Sequence, residues 1–146
     1  MVMNIIRIIF LSLLLLFYGN VFADYQTILK KARQGSAESQ YSLGTMYELG
    51  EGVTEDDKEA FKWFSLAASQ GYAKAQNNLG YMYDLGEGVA QDNIRAYMWK
   101  NLAAAQGDID AAEQRDDLAS RMTKEQLEKA QQMARDCKAS NYKSCD

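Results

Sequence analysis

Apolar residues recur in this chain at helical rather than strand spacing, and the same pattern of apolar and polar positions is written twice. Ala37, Leu43, Gly44, Tyr47 and Leu49 return as Ala73, Leu79, Gly80, Tyr83 and Leu85, a set that suits one face of a helix. Ala60, Trp63, Ala67 and Ala68 return as Ala96, Trp99, Ala103 and Ala104, which predicts a second helix with one large anchor among small residues. The offset is 36 throughout. Ala37 to Gly71 aligns on Ala73 to Gly107 without a gap, and 19 of the 35 positions are identical. A fixed period of this length marks a solenoid of stacked units.

The polar and glycine positions punctuate the same units. Gly44 and Gly80 lie inside the first helix of each unit, at a cost of about 1 kcal/mol relative to alanine. Retention at that cost predicts close approach of a neighbouring helix. Gly50-Glu51-Gly52-Val53 and Gly86-Glu87-Gly88-Val89 end the first helix and turn the chain. Asp56 and Asp92 are placed to N-cap the second helix. Glu59 completes a capping-box pattern in the first copy. Arg95 stands there in the second, which predicts a weaker cap. Gly71 and Gly107 close the units.

The flanks are partial units. In residues 24–36, Tyr25, Ile28 and Leu29 have helical spacing, and Ala32-Arg33-Gln34-Gly35 aligns with Ala68-Ser69-Gln70-Gly71, so the segment reads as an N-terminal capping helix. After Gly107 the Leu-Gly pair is replaced by Arg115-Asp116 and the glycine turn is gone. Ile109, Ala112, Leu118 and Met122 still suit a helix. Thr123 with Gln126 then forms a capping box ahead of the stripe Leu127, Ala130, Met133 and Ala134. Seven helices are predicted, at 24–34, 37–49, 57–70, 73–85, 93–106, 109–120 and 123–138.

Residues 1–23 add an address. Arg7, the apolar run Ile8 to Phe17 and Val21-Phe22-Ala23 match the three regions of a secretory signal peptide cleaved after Ala23, the alternative being a single membrane anchor. Cleavage removes one of the 16 basic residues, leaving 15 against 20 acidic ones, net −5. That balance argues against nucleic acid and anionic membrane as partners. The chain has no proline, in keeping with helices joined by glycine turns, and no histidine, which excludes Ser–His and Cys–His nucleophilic arrangements.

With these residues in view, the pattern A…LG..Y..G.GV..D…A..W…AA..G resembles the Sel-one-like repeat (SLR), an α/α relative of the tetratricopeptide repeat. The resemblance implies an all-α, right-handed superhelical solenoid. Its parts are a signal peptide (1–23), a capping helix (24–36), two full units (37–71 and 73–107) and a degenerate capping repeat (108–146). The last segment, A…RD.LA..MT.EQL..AQ..A, is similar to the terminal cap of exported SLR proteins. Family members are implied to be scaffolds and adaptors, so the expected function is binding of another protein, without catalysis or cofactor, by a periplasmic or secreted monomer. Two rival functions attach to the same resemblance. One is an immunity protein that neutralises an envelope-targeted toxin. The other is β-lactam binding or hydrolysis, as in cysteine-rich relatives, although those carry a cysteine pair in each repeat.

The two cysteines, Cys137 and Cys145, form an even pair at the end of a chain read as exported, which predicts a disulfide closing the tail. A catalytic redox pair is the alternative, and the C-x-x-C spacing is missing. Their spacing also resembles the helix-to-turn bridges of cysteine-rich family members. Glu55-Asp56-Asp57 and Asp116-Asp117 read as acidic helix starts and solvated loops. Glu51 to Asp57 lacks the ligand spacing of a calcium loop. No metal site is expected.

What remains is a surface. In tetratricopeptide-like solenoids the first helix of each unit lines the concave face. The positions that change between copies there are Glu38/Lys74, Tyr41/Asn77, Ser42/Asn78, Thr45/Tyr81 and Glu48/Asp84. These are the candidate partner-binding residues, the alternative being an ordinary solvated helix face. Tyr81 is the expected aromatic anchor. Phe61, Tyr97, Trp63 and Trp99 are assigned to the core.

Overall fold

The computed structural model describes residues 23–145. The expected leader, with Arg7, Ile8 to Phe17, Val21 and Phe22, lies outside the described residues. Among the described residues all regular structure is helical: α1 (23–33), α2 (Ala37–Leu49), α3 (Asp57–Ala68), α4 (Ala73–Leu85), α5 (Asn93–Ala104), α6 (Ile109–Ser120) and α7 (Lys124–Ala139). The sequence-based ends of α3 and α5 lie two residues too far along. The amides of Gln70 and Gly71 turn back to the carbonyls three residues earlier, 3.1 and 2.9 Å away, which tightens and ends the helix before Gly71.

The glycine turns stop the first helices as expected. Gly50 and Gly86 adopt left-handed φ values of 67° and 77°, and their amides bond to Met46 O and Met82 O. The chain then enters α3 and α5 through Asp56 and Asp92, whose carboxylates each accept two backbone amides. The capping details differ from the sequence reading. The Asp56 amide already donates to Tyr47 O at 2.9 Å, so Glu59 turns outward to Lys62 at 3.1 Å. In the second copy Arg95 reaches back to Asp92 Oδ2 at 2.6 Å, so that cap is charge-assisted rather than weaker. Burial opposes the Asp92 charge, but the amide and guanidinium of Arg95 win, and its carboxyl lies below the ordinary range.

Packing follows the repeat. α2 lies on α3 and α4 on α5; α3 then meets α4, and α5 meets α6. Gly44 and Gly80 mark the tightest crossings. A methyl group at Gly44 would stand 2.6 Å from the Phe64 ring, so the glycine admits a large buried side chain where the helices cross. The core runs through Ala60, Phe64, Leu79, Met98 and Trp99 into Ala134 and Cys137 of α7. Trp63 packs with Leu43 and Ala32 against α1, as a capping helix requires. Each fully buried large side chain contributes about 1.5–3 kcal/mol through burial.

Buried glutamines hold the same interfaces. Gln40 donates to Ala32 O and accepts from Gln70, at 3.1 and 2.7 Å; Gln76 repeats this with Ala68 O and Gln106, at 3.3 and 2.8 Å. In the third unit Ala112 occupies this position, so the series stops there.

α7 begins with the expected capping box, Thr123 with Gln126. Its principal contact is with α5, so the chain turns away from α6 after Ser120. Leu127 and Ala130 meet Ala96 and Tyr97, while Ala134 and Cys137 reach the main core. The Cys137–Cys145 disulfide closes the turn that follows, with Cα atoms 4.5 Å apart. Tyr142 of this turn packs its ring edge atoms Cε2 and Cδ2 close to Gly71, where a methyl group would meet them. Ile109, one of the residues with helical spacing, is 73% exposed, because Ala111 and Leu118 are the residues of α6 that face inward.

A candidate partner-binding face

Helical geometry puts residues i, i+7 and i+11 on one line, and three such lines lie on the first helices of successive units. They are Glu38–Thr45–Leu49 on α2, Lys74–Tyr81–Leu85 on α4 and Asp110–Asp117–Arg121 at α6 and its C-cap. Tyr81 is 43% exposed, as an anchor requires. Leu49 and Leu85 are 57% and 52% exposed, although the sequence pattern groups them on one helix face with Leu43 and Leu79. Six residues separate each from the buried Leu43 or Leu79. At 100° per residue that turns the side chain about 120° away from the core. Their identity in the two copies therefore marks an outward feature.

The other candidates divide into free and engaged groups. Glu38 and Lys74 are exposed at the start of their helices. Ser42 and Thr45 donate to Glu38 O and Tyr41 O within α2, at 2.9 and 3.2 Å. Tyr41 is enclosed between the rings of Phe64 and Tyr72, with centroids 5.7 and 5.2 Å away. Asn77 and Asn78 are half-buried, and Asn77 Oδ1 is buried with no partner among the described residues. Asp84 is held inside the protein: Lys100 Nζ lies 3.5 Å away and Arg121 Nη2 3.4 Å away. Tyr41 and Asp84 thus shape the face rather than present themselves on it.

Lys100 was not among the sequence candidates. It replaces Phe64 of the first unit and is only 2% exposed. Its amine bonds to Gln114 at 2.9 Å and pairs with Asp84. Burial lowers its pKa, and Asp84 acts in the opposite direction. The signal was present in the Phe64/Lys100 exchange, but comparing copies only along the first helices passes over it.

Glu48, the counterpart of Asp84, has a different environment. Burial comes first in raising its carboxyl above the ordinary range, and the like charges of Glu87 and Asp57 add to this. None of these three carboxylates has an ion-pair partner among the described residues. A raised folded-state pKa makes the ionised group destabilising. Its stabilising proton is fully present below the unfolded pKa and is lost as pH rises through the folded value. Glu48→Gln is therefore expected to raise the melting temperature at pH 7, on the order of 1 °C because half the side chain faces water. At about pH 4, where the carboxyl is largely protonated in the fold, the difference should shrink towards zero. Thermal melts of both proteins at the two pH values check this.

Among the described residues no three Cys, Asp or Glu side chains converge as a metal site. The Tyr47 hydroxyl is pushed up to about 12, first by its hydrogen bond with Tyr25 and then by burial, so it stays protonated at neutral pH.

Residues 37–72 and 73–108 each match the family model for the Sel1 repeat. Among solved structures, a protective antigen present in uropathogenic Escherichia coli strains and displaying an SLR fold is similar over 81% of this chain, with 28% identity and a TM-score of 0.77. The present chain spans only 26% of that one. A Sel1 repeat protein from Oxalobacter formigenes is similar over 62% of this chain and 68% of its own, with 39% identity and a TM-score of 0.61. None of the curated proteins compared with the chain matches it.

Proposed function

Because this chain belongs to the Sel1 repeat family, whose repeats act in general as protein–protein interaction modules, we propose that it is a non-catalytic adaptor that holds one partner protein against its first helices. The observation that carries this reading is that three of the five exposed large apolar side chains among the described residues, Leu49, Tyr81 and Leu85, stand on the first helices of the two full units, the other two being Leu66 on α3 and Ile109 on α6. An aromatic and two leucines on rigid, neighbouring helices suit groove recognition of a helix or loop. Glu38, Lys74, Asn78 and Glu48 would frame the contact, with Ser42, Thr45 and Asn77 beneath it.

The same reading places the protein in the periplasm or outside the cell. The Cys137–Cys145 bond supports an oxidising compartment. Among the described residues no helix is long and apolar enough to cross a membrane.

Cross-linking in the native envelope tests the proposal, with the full chain carrying a C-terminal tag. One stoichiometric protein is expected to be retained, and to be lost when Tyr81→Ala and Lys74→Glu are combined. Retention of the same protein by the double variant would remove the first-helix face from the account.

A further inference from the structure

The third unit shows what the acidic positions of this face pair with. α6 ends at Arg121, which stands where Leu49 and Leu85 stand in the earlier units. Its guanidinium reaches back to Asp84 of the preceding unit at 3.4 Å and to Asp117 at 3.2 Å. One repeat earlier the equivalent positions, 36 residues back, hold no cation. Glu48 takes the place of Asp84, and Leu85 takes the place of Arg121. Glu48 is left beside Glu87 and Asp57, half-buried and without an ion pair among the described residues.

The backbone adds to this negative potential. A helix C-terminus carries a partial negative charge and favours cations in its last turn. α2 and α4 each end with no basic residue in the last turn. Glu51 and Glu87 follow directly in their glycine turns. Leu49, Tyr81 and Leu85 therefore form an apolar strip whose C-terminal edge is lined with unpaired carboxylates and two helix ends.

We propose that this strip takes a cationic amphipathic segment of the partner protein: its apolar side chains seat on Leu49, Tyr81 and Leu85, and one of its Lys or Arg residues pairs with Glu48 as Arg121 pairs with Asp84. This rests on the reading of the first-helix face as the binding surface, and it adds the chemistry of the occupant. Charge complementarity sets orientation and association rate, while the apolar contacts set residence time.

Two synthetic 18-residue helical peptides of equal leucine content test it, one with lysine and one with glutamate at all polar positions. Binding to the full chain is followed by fluorescence anisotropy at low and physiological salt. The Leu/Lys peptide is expected to bind and to weaken with salt, and the Leu/Glu peptide to leave the signal unchanged. Leu85→Arg places an internal cation beside Glu48, as the third unit does beside Asp84. It should cut Leu/Lys affinity at least tenfold and also raise the melting temperature. That rise should vanish when Glu48→Gln is added, a readout independent of any peptide. Equal binding of both peptides, no binding of either, or Leu/Lys affinity within twofold of the parent in Leu85→Arg would overturn the proposal. Failure here, with the native partner still lost from the Tyr81→Ala, Lys74→Glu protein, refutes the cationic occupant alone. Failure of both experiments refutes the face.

Discussion

Alanine at position 88 is expected to destabilise the protein by about 2–5 kcal/mol, more than a change at any exposed residue. Gly88 sits in the turn of the second unit at φ +66°, a left-handed conformation that costs a residue with a Cβ about 1–2 kcal/mol. The added methyl would also run into the main-chain carbonyl of Asp57, the first residue of α3. A backbone group cannot rotate aside as a side chain can, so the turn must lift off α3. Lifting it loosens the joint between the two units, and neighbour interfaces supply much of a solenoid's stability. Gly107 supplies the control. Its φ is +95°, and nothing lies within 4 Å of the added methyl, so Gly107→Ala should show the backbone cost alone. Urea denaturation of the two variants separates the terms. Equal losses would mean that the Gly88 contact contributes nothing.

Reduction of the Cys137–Cys145 bond is expected to lower the melting temperature by about 8–12 °C, from about 2–3 kcal/mol of loop entropy. The bond closes a short loop, but the tail it holds is also strained. Asn141 and Tyr142 adopt φ values of 55° and 64°, where an asparagine is tolerated and a tyrosine is disfavoured. Tyr142 stays there because its ring covers Gly71, and the bond keeps the ring in place. Calorimetry of oxidised and reduced protein measures the loss. Hydrogen exchange locates it: protection should fall at residues 140–145 and around Gly71, while the interior of α2 remains protected. Cys137→Ala with Cys145→Ala should reproduce the reduced protein. An unchanged melting temperature on reduction would show that the turn is held by packing alone.

Most of the framework was legible in the chain because it depends on short-range physics repeated at a fixed offset. Helical spacing, αL glycines after Leu49 and Leu85, and aspartates ahead of α3 and α5 act within a few residues, so each copy corroborates the other. Gly44 and Gly80 were legible for a related reason, since a glycine inside a helix is explained by a close neighbour. The binding face was only partly legible. Positions that vary between copies point to Tyr81, but the identical Leu49 and Leu85 also face outward, and identity alone cannot separate a core role from a surface one.

The remainder depends on which side chains meet across units. Whether Arg95 weakens its cap or completes it follows from the reach of a guanidinium across one turn. Whether Asp84 is a contact residue or an internal partner follows from Lys100 and Arg121, 16 and 37 residues away. The turn of α7 onto α5, and the gathering of Glu48, Glu87 and Asp57, likewise arise only when one helix pair is laid on the next. Local sequence sets the shape of a repeat unit. The charge that its face presents is set by stacking, because electrostatic and packing neighbours are chosen by distance in space and not along the chain.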